Sequence, residues 1–525
     1  MLSTGMTMGD AIRAVVRARP GQEVLVCGAS RLTNGQLLEQ VTGTAGQLAG
    51  LGVGRGDRVA VSLPPGPQFA CLFFALAQLG SIIVPLNPDL LERALHDILE
   101  DSQPVVLVTE NGARRLGESP RPPDATPDAM PESAPQTTPR PGDLLALLYT
   151  SGTTGKPKAT VHTHSSLIAP VVATLKVREL WARPSSIRAV VDVAKAAARY
   201  RARLLRSIGR PQTLLSTAGW HTITGLHVML QGLLMGDRLV VMKRFHPQEA
   251  LEIVEKERVS VLVAVPTAWQ AMLALPDFDR HDFSSLLVCA SGGAACPPSL
   301  AREIRQRFGC ALYNGFGMTE AAGGISVSTL ADSDEKQDET VGRVMPGIDI
   351  RIVDRERREV PNGQEGELAV RGEGVMLGYY KAPELTAAVK DHDGWLYTGD
   401  LARMDAQGYL HIVGRVKDVI IRGGQNVYPA EIEDYLETHP RIREAAVVGV
   451  PSAVGGESVW AFVRLKENAS MTVPEVLDYC RGTLEVWKIP SQVRFVPDLP
   501  RAESGKFQKF KLRQAAIQEQ NGGTL

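Results

Sequence analysis

Short apolar runs alternate with amphipathic stretches along most of the chain. Arg58–Leu63, Pro104–Thr109, Arg238–Met242, Val259–Val265 and Leu286–Ala290 are nearly continuous in Val, Leu and Ala. That is the pattern of strands covered on both faces. Gln68–Leu79, Pro247–Glu257 and Pro298–Phe308 carry the helical period. The last two open on Pro, whose missing N–H has no intrahelical partner to lose in a first turn. Strand–helix alternation predicts an α/β fold built on parallel sheets. The most apolar stretch, Cys71–Leu86, is interrupted by Gln78 and Gly80. It is too short to span a bilayer and predicts a buried helix followed by a buried strand.

Two regions depart from this rhythm. Ser119–Gly142 is crowded with Pro, Ala, Thr and Asp without periodicity, which predicts an exposed loop. From about Gly363 the strands shorten and alternate (Gly366–Arg371, Tyr409–Val413). A helix then opens at Pro429, with Ile432, Tyr435 and Leu436 on one face. These changes predict a large N-terminal domain of packed α/β sheets plus a small β-region, and a small mobile α+β C-terminal domain. No internal repeat is visible.

Composition narrows the function classes. The 525 residues suffice for several domains, and 44% apolar with 22% charged residues is ordinary for a globular chain. Lys plus Arg number 57 against 58 Asp plus Glu, a net charge of −1, so no global basic field for nucleic acid exists. The six Cys include no Cys-x-x-Cys pair, which points to reduced thiols in a cytoplasmic protein rather than a disulfide or zinc scaffold. Met1–Pro20 has no apolar core of the kind a signal peptide carries. Oligomeric state is not specified; a homodimer is compatible with the sequence. Lys195, Arg199, Arg201, Arg203, Arg206 and Arg210 concentrate in the Ala-rich helical stretch Arg188–Arg210. It reads as a solvated helix face, with a docking surface for a carrier protein or a membrane surface as the sharper alternative.

The chemistry starts after the apolar run Leu144–Leu148, with the string Tyr149-Thr150-Ser151-Gly152-Thr153-Thr154-Gly155-Lys156-Pro157-Lys158. Glycines allow close backbone approach, the hydroxyls and N–H groups donate, and two Lys add charge, which together suit a polyphosphate. The spacing is not that of a Walker A loop, because only two residues separate Gly152 from Gly155 and Pro157 follows Lys156. Gly315-Phe316-Gly317 lacks the third Gly of a dinucleotide fingerprint.

The ten-residue string resembles the phosphate loop of the adenylate-forming superfamily, in its acyl-CoA synthetase and aryl-acid ligase branch. Ala159 stands where that family usually has Gly, and a methyl there removes backbone freedom. Further strings resemble the family's other motifs, in the family's order. Asn314-Gly315-Phe316-Gly317-Met318-Thr319-Glu320 is similar to its adenine and magnesium segment. The resemblance implies that Glu320 is the metal residue, holding Mg²⁺, and that Thr319 touches the α-phosphate; Phe316 replaces the usual Tyr. Trp395–Asp400 is similar to the ribose motif, with Asp400 accepting from the ribose hydroxyls. In Gly414–Asp418, Arg415 is implied to contact ribose or phosphate and Lys417 to be the hinge, placing residues 1–416 in the large domain and 417–525 in the small one. Gly423 and Gly424 are implied to line the CoA tunnel; Arg422, beside them, has no role readable from sequence. Pro500-Arg501-Ala502-Glu503-Ser504-Gly505-Lys506 resembles the catalytic lysine motif.

The acid pocket is less legible. Trp220-His221 matches an aromatic–His pair beside the substrate carboxylate, with His221 a catalytic-site candidate. Gly292, Gly293, Ala294 and Gly323 are small residues that leave room for a bulky or long apolar group. The resemblance thus implies an ATP-dependent acyl-CoA synthetase with ATP, Mg²⁺ and CoA. A carboxylate forms acyl-AMP and releases pyrophosphate, and CoA then takes the acyl group as AMP leaves. Two alternatives remain at this stage: an adenylating enzyme that passes the acyl group to an amine or carrier protein, and a non-catalytic ligand-binding descendant. Retention of Glu320, Asp400, Arg415 and Lys506 together speaks against the latter.

Overall fold

The computed structural model describes residues 2–116, 138–150, 158–182, 186–207, 210–422, 425–452, 456–501 and 507–520. The sequence-derived strands and helices recur within one or two residues: Arg58–Ser62, Val106–Thr109, Arg238–Val241, Val261–Ala264 and Val288–Ser291 are strands, and Pro67–Leu79, Pro247–Lys256 and Pro298–Phe308 are helices. Cys71–Leu86 resolves into the end of the Pro67–Leu79 helix and the buried strand Ile82–Pro85, as its pattern predicts. Most of the proline-crowded stretch Ser119–Gly142 lies outside the described residues.

A nine-stranded sheet runs from Arg343–Val344 through Gly323–Val327, Ala311–Met318, Val288–Ser291, Val261–Ala264, Thr213–Ser216, Arg238–Val241 and Glu23–Cys27 to Ser30–Thr33. Its interior pairings are parallel and its outer ones antiparallel. A six-stranded sheet orders Gly112–Arg115, Val106–Thr109, Arg58–Ser62, Ile82–Pro85, Leu144–Thr150 and Lys158–Thr163. One apolar cluster draws Val59, Val61 and Leu148 from the second sheet and Leu25, Leu214 and Leu239 from the first. The helices Pro67–Leu79 and Ile223–Met235 join that cluster and are buried nearly all round, as a helix packed between two sheets must be.

Two smaller sheets follow. Ile348–Val353, Gly366–Gly372, Leu396–Met404 and Leu410–Arg415 form a four-stranded antiparallel meander. The strand pairing then changes: Ile420–Arg422 belongs to a five-stranded sheet with Gln425–Val427, Ile442–Ser452, Gly456–Leu465 and Gln492–Phe495. With the helices Pro429–Glu437 and Val473–Arg481 this sheet encloses an apolar cluster of its own, from Ile420 to Val493.

The basic stretch is helical over Ile187–Ser207. Arg199 pairs with Asp334 and donates to the Asp332 carbonyl, and Arg203 donates to the Leu286 carbonyl at 2.7 Å. Two of its cations therefore fasten the helix to the protein body, while Lys195 and Arg201 stay exposed. Among the described residues no helix is long and apolar enough to cross a membrane.

Candidate active site

Leu144–Thr150 and Lys158–Thr163 pair antiparallel, with Thr150 opposite Lys158. The Thr150 hydroxyl donates to the Lys158 carbonyl at 3.4 Å. Ser151, Gly152, Thr153, Thr154, Gly155 and Lys156, between these strands, lie outside the described residues. Ala159, the departure from the family string, is 2% exposed, and its methyl packs into a buried cluster bordered by Tyr149 and Tyr380.

The segment 376–380 docks along the other edge of Lys158–Thr163. Val161 N–H donates to the Gly378 carbonyl, Leu377 N–H to the Val161 carbonyl and Tyr380 N–H to the Ala159 carbonyl, while Met376 N–H donates to the carbonyl of Glu320. These backbone bonds hold Tyr379 between two charged groups. Its hydroxyl accepts from Lys158 Nζ at 2.6 Å and donates to Glu320 Oε1 at 2.8 Å. Lys158 and Glu320 themselves are 3.7 Å apart. Burial, reinforced by Arg415, lowers the Lys158 ammonium below the ordinary lysine range, and Glu320 opposes the shift. Burial and Glu320 together push the Tyr379 phenol up, so it stays a donor.

Glu320 sits in the short turn Thr319–Ala321 that joins Ala311–Met318 to Gly323–Val327. Ala322 takes φ +56 and is buried. A non-glycine residue held there costs on the order of 1–3 kcal/mol, strain that clusters at functional turns. A Cβ on Gly317 would lie 2.2 Å from the Gly323 carbonyl, so the two arms close only with glycine. The Thr319 carbonyl faces His162, whose burial brings its pKa down to about 4. Phe316 and Met318 pack partly against the apolar cluster that extends into the four-stranded sheet. The Asn314 amide donates to the Thr340 carbonyl at 3.1 Å, anchoring the strand. Gly315 lets its strand approach Ser326, whose carbonyl would be 3.1 Å from an added Cβ.

On the other side Asp400 and Arg415 are direct partners on adjacent strands, and Arg415 Nε donates to Asp400 Oδ1 at 2.7 Å. Lys417 follows in the turn Val416–Asp418. Burial lowers its pKa; Asp418 and Asp400 oppose the change, and Arg415 and Lys158 add to it. Lys158, Asp400, Arg415 and Lys417 are therefore close enough for their charges to act on one another. Gly423, Gly424 and Lys506 lie outside the described residues. Arg422 gains an account: its Nη1 donates to the carbonyls of Trp487 and Ile489 at 3.1 and 2.7 Å, tying its strand to a neighbouring loop.

Several residues expected at the acid pocket lie near the helix Ile223–Met235. Trp220 is 2% exposed and packs edge-on to Phe69 in the core. The indole thus belongs to the apolar cluster between the sheets. His221 folds over Gly219, where an added Cβ would be 2.5 Å from its ring. Gly292 and Ala294 follow the strand Val288–Ser291, half-buried. A Cβ on Gly293 would meet Thr224 and Val265 at 3.4 Å, and one on Gly323 would meet His227 at 3.4 Å. Gly293 and Gly323 therefore face one helix. Sequence reasoning missed two residues, Tyr379 and His227. A Gly-Tyr-Tyr string and a histidine on a helix face give no local signal of their partners.

Residues 12–380 match the AMP-binding enzyme family and residues 431–506 its C-terminal domain. The chain is 35% identical to a feruloyl-CoA synthase from Amycolatopsis sp over 506 residues, covering 95% of this chain and 96% of that protein. It is 31% identical to the mitochondrial medium-chain acyl-CoA ligase of Homo sapiens over 97% of this chain and 87% of that one. The amide bond synthetase McbA from Marinactinospora thermotolerans superposes with a TM-score of 0.79 at 27% identity, covering 97% of this chain and 99% of that chain.

Proposed function

The chain belongs to the AMP-binding enzymes, the adenylate-forming ligases, and from that premise we propose that it activates a bulky or long, largely apolar carboxylic acid as acyl-AMP and passes the acyl group to CoA. One observation carries this reading. Lys158, Glu320, Tyr379, Asp400, Arg415 and Lys417, from widely separated segments, come together in one linked group of contacts and charges. A mixed anhydride of carboxylate and α-phosphate needs such a site, because negative charge builds on the phosphates as the bond to pyrophosphate breaks.

In the first half-reaction a carboxylate oxygen attacks the α-phosphorus and pyrophosphate leaves. Lys158, the loop from Thr150 through Lys156, and Lys506 offset the phosphate charge. Asp400 and Arg415 hold the ribose. Asn314 to Met318 form the adenine wall, and Thr319 meets the α-phosphate. A single carboxylate oxygen beside the phosphates fits Mg²⁺, which commonly takes one or two carboxylates and shares the substrate's own oxygens. Glu320, fixed by Tyr379, would hold that ion, which supplies charge neutralisation. In the second half-reaction the CoA thiolate attacks the acyl carbon and AMP leaves. We assign residues 417–525 to a small domain that turns about Lys417, withdrawing Lys506 and presenting Gly423 and Gly424 to the thiol arm. Lys417→Pro, which fixes φ, is expected to arrest one orientation and uncouple the two half-reactions. Normal rates in both would remove the hinge assignment. The six cysteines are free thiols, in keeping with a cytoplasmic location.

The likeness to an amide bond synthetase supports a second reading, in which an amine takes the acyl group. Incubation with ATP, Mg²⁺ and a panel of aryl, fatty and terpenoid acids, with CoA or an amine, separates the two by mass spectrometry. Acid-dependent pyrophosphate release with acyl-CoA as product is the expected result. Amide without thioester would establish the alternative, and no acid-dependent pyrophosphate release would overturn both.

A further inference from the structure

His227 lies on the Ile223–Met235 helix, one turn beyond Thr224. Residues three apart on a helix share a face, and at 1.5 Å per residue His227 is about 6 Å deeper than the first helical residue. That face looks onto Gly293 and Gly323: the Gly293 position borders Thr224, and a Cβ on Gly323 would be 3.4 Å from His227 Nδ1. An added Cβ at Gly292 or Gly324 would meet nothing within 4 Å, so open space adjoins these glycines. The ring is deep in the protein without being wholly covered, as a side chain that borders open space is.

A hydrogen-bond chain fixes which nitrogen carries the proton. The Thr174 hydroxyl donates to the Pro170 carbonyl at 3.1 Å, so towards Gln231 it accepts. Gln231 Nε2 donates to Thr174 Oγ1 at 2.7 Å and lies 2.7 Å from His227 Nε2. An amide nitrogen only donates, so His227 Nε2 accepts. Burial brings the ring's pKa down to about 4, so at neutral pH it holds one proton, on Nδ1. Among the described residues Nδ1 has no partner, and it faces the bare Cα of Gly323.

We infer that the far end of the acid pocket is a hydrogen-bonding subsite, in which His227 Nδ1–H donates to an oxygen of the substrate. The acid it takes is a carboxylic acid with an apolar body and a hydroxyl, alkoxy or keto oxygen remote from the carboxyl, in preference to the plain hydrocarbon acid. A pocket lined only by small residues would not discriminate between the two. A donor left facing a hydrocarbon loses its hydrogen bond to water without replacement, which disfavours that ligand. The inference rests on the acid-activating reading above.

The test compares matched acids in pyrophosphate release: cinnamate with 4-hydroxycinnamate, and octanoate with 8-hydroxyoctanoate. For wild type, kcat/KM is expected to favour the oxygenated member of at least one pair by about tenfold. His227→Leu should abolish that preference by slowing only the oxygenated acid, and His227→Asn, which keeps a donor, should retain part of it. KM for ATP should stay unchanged in both variants. Equal wild-type rates within both pairs would overturn this inference and leave the acid-activating reading standing. A uniform loss with every acid in both variants would assign His227 to folding alone and overturn it as well. Failure of wild type to release pyrophosphate with any of a broad acid panel would instead overturn the parent reading.

Discussion

The two ends of the candidate site are built on opposite electrostatic plans. At the nucleotide end, five charged groups gather from separate segments: Lys158, Glu320, Asp400, Arg415 and Lys417, with Tyr379 bonded to two of them. At the acid end the polar groups are neutral, and they sit on two packed helices as a chain from Thr174 through Gln231 to His227. The difference fits the ligands proposed for the two ends. Any acid that enters meets the same triphosphate, so one end must answer a fixed, large charge. The other end answers only the shape and the polar atoms of one class of acid, where an unpaired charge would be costly to bury.

The sharpest way to break this comparison is at Lys506. Lys506→Ala should lower adenylation by on the order of 10²–10³, as for loss of one transition-state donor, while thiolation of preformed acyl-adenylate is spared. Equal loss in both half-reactions would show that the lysine does not act on the α-phosphate. Tyr379→Phe should cost about 10–100-fold in adenylation and raise the Mg²⁺ concentration needed for half-maximal rate, since the group that orients a metal-holding carboxylate is removed. An unchanged Mg²⁺ dependence would reduce Tyr379 to packing. At the acid end, Gly323→Ala puts a methyl against His227 and into a position of φ +130. KM for the acid should rise about tenfold with KM for ATP untouched, and parallel changes in both would merge the two ends into one.

The smallest effect is in pH. Lys158 has a lowered pKa, so its ammonium loses its proton at a lower pH than an ordinary lysine. The alkaline fall in kcat/KM for ATP, which reports the free enzyme, should therefore begin early. Lys158→Arg keeps the charge at all accessible pH and should move that limb upward, with at most a few-fold change at neutral pH. An unmoved limb would mean that another group titrates there.

The same division marks how much could be seen in advance. The alternation of apolar strands and periodic helices is local, and it foretold the parallel sheets, the buried Pro67–Leu79 helix and the change of texture after Gly363. The charged residues of the nucleotide end were visible too, because each sits in a distinctive string of Gly, Thr and charge. Tyr379 was not visible. Its partners Lys158 and Glu320 are 221 and 59 positions away, and only the docking of segment 376–380 on a strand edge joins them. The burial of Trp220 was not visible either, because a two-residue string does not say which way each side chain turns; the indole packs edge-on to Phe69.

By itself, then, the order of residues determined the secondary structure, the layered architecture and the strings proposed to face phosphate, since periodicity and glycine spacing act over a few residues. Tertiary structure alone decided which distant groups meet: the Lys158–Tyr379–Glu320 bridge, the Asp400–Arg415 pair and the proton on His227 Nδ1. Hydrogen bonds reach only about 3 Å, so their partners are fixed by packing and not by separation along the chain.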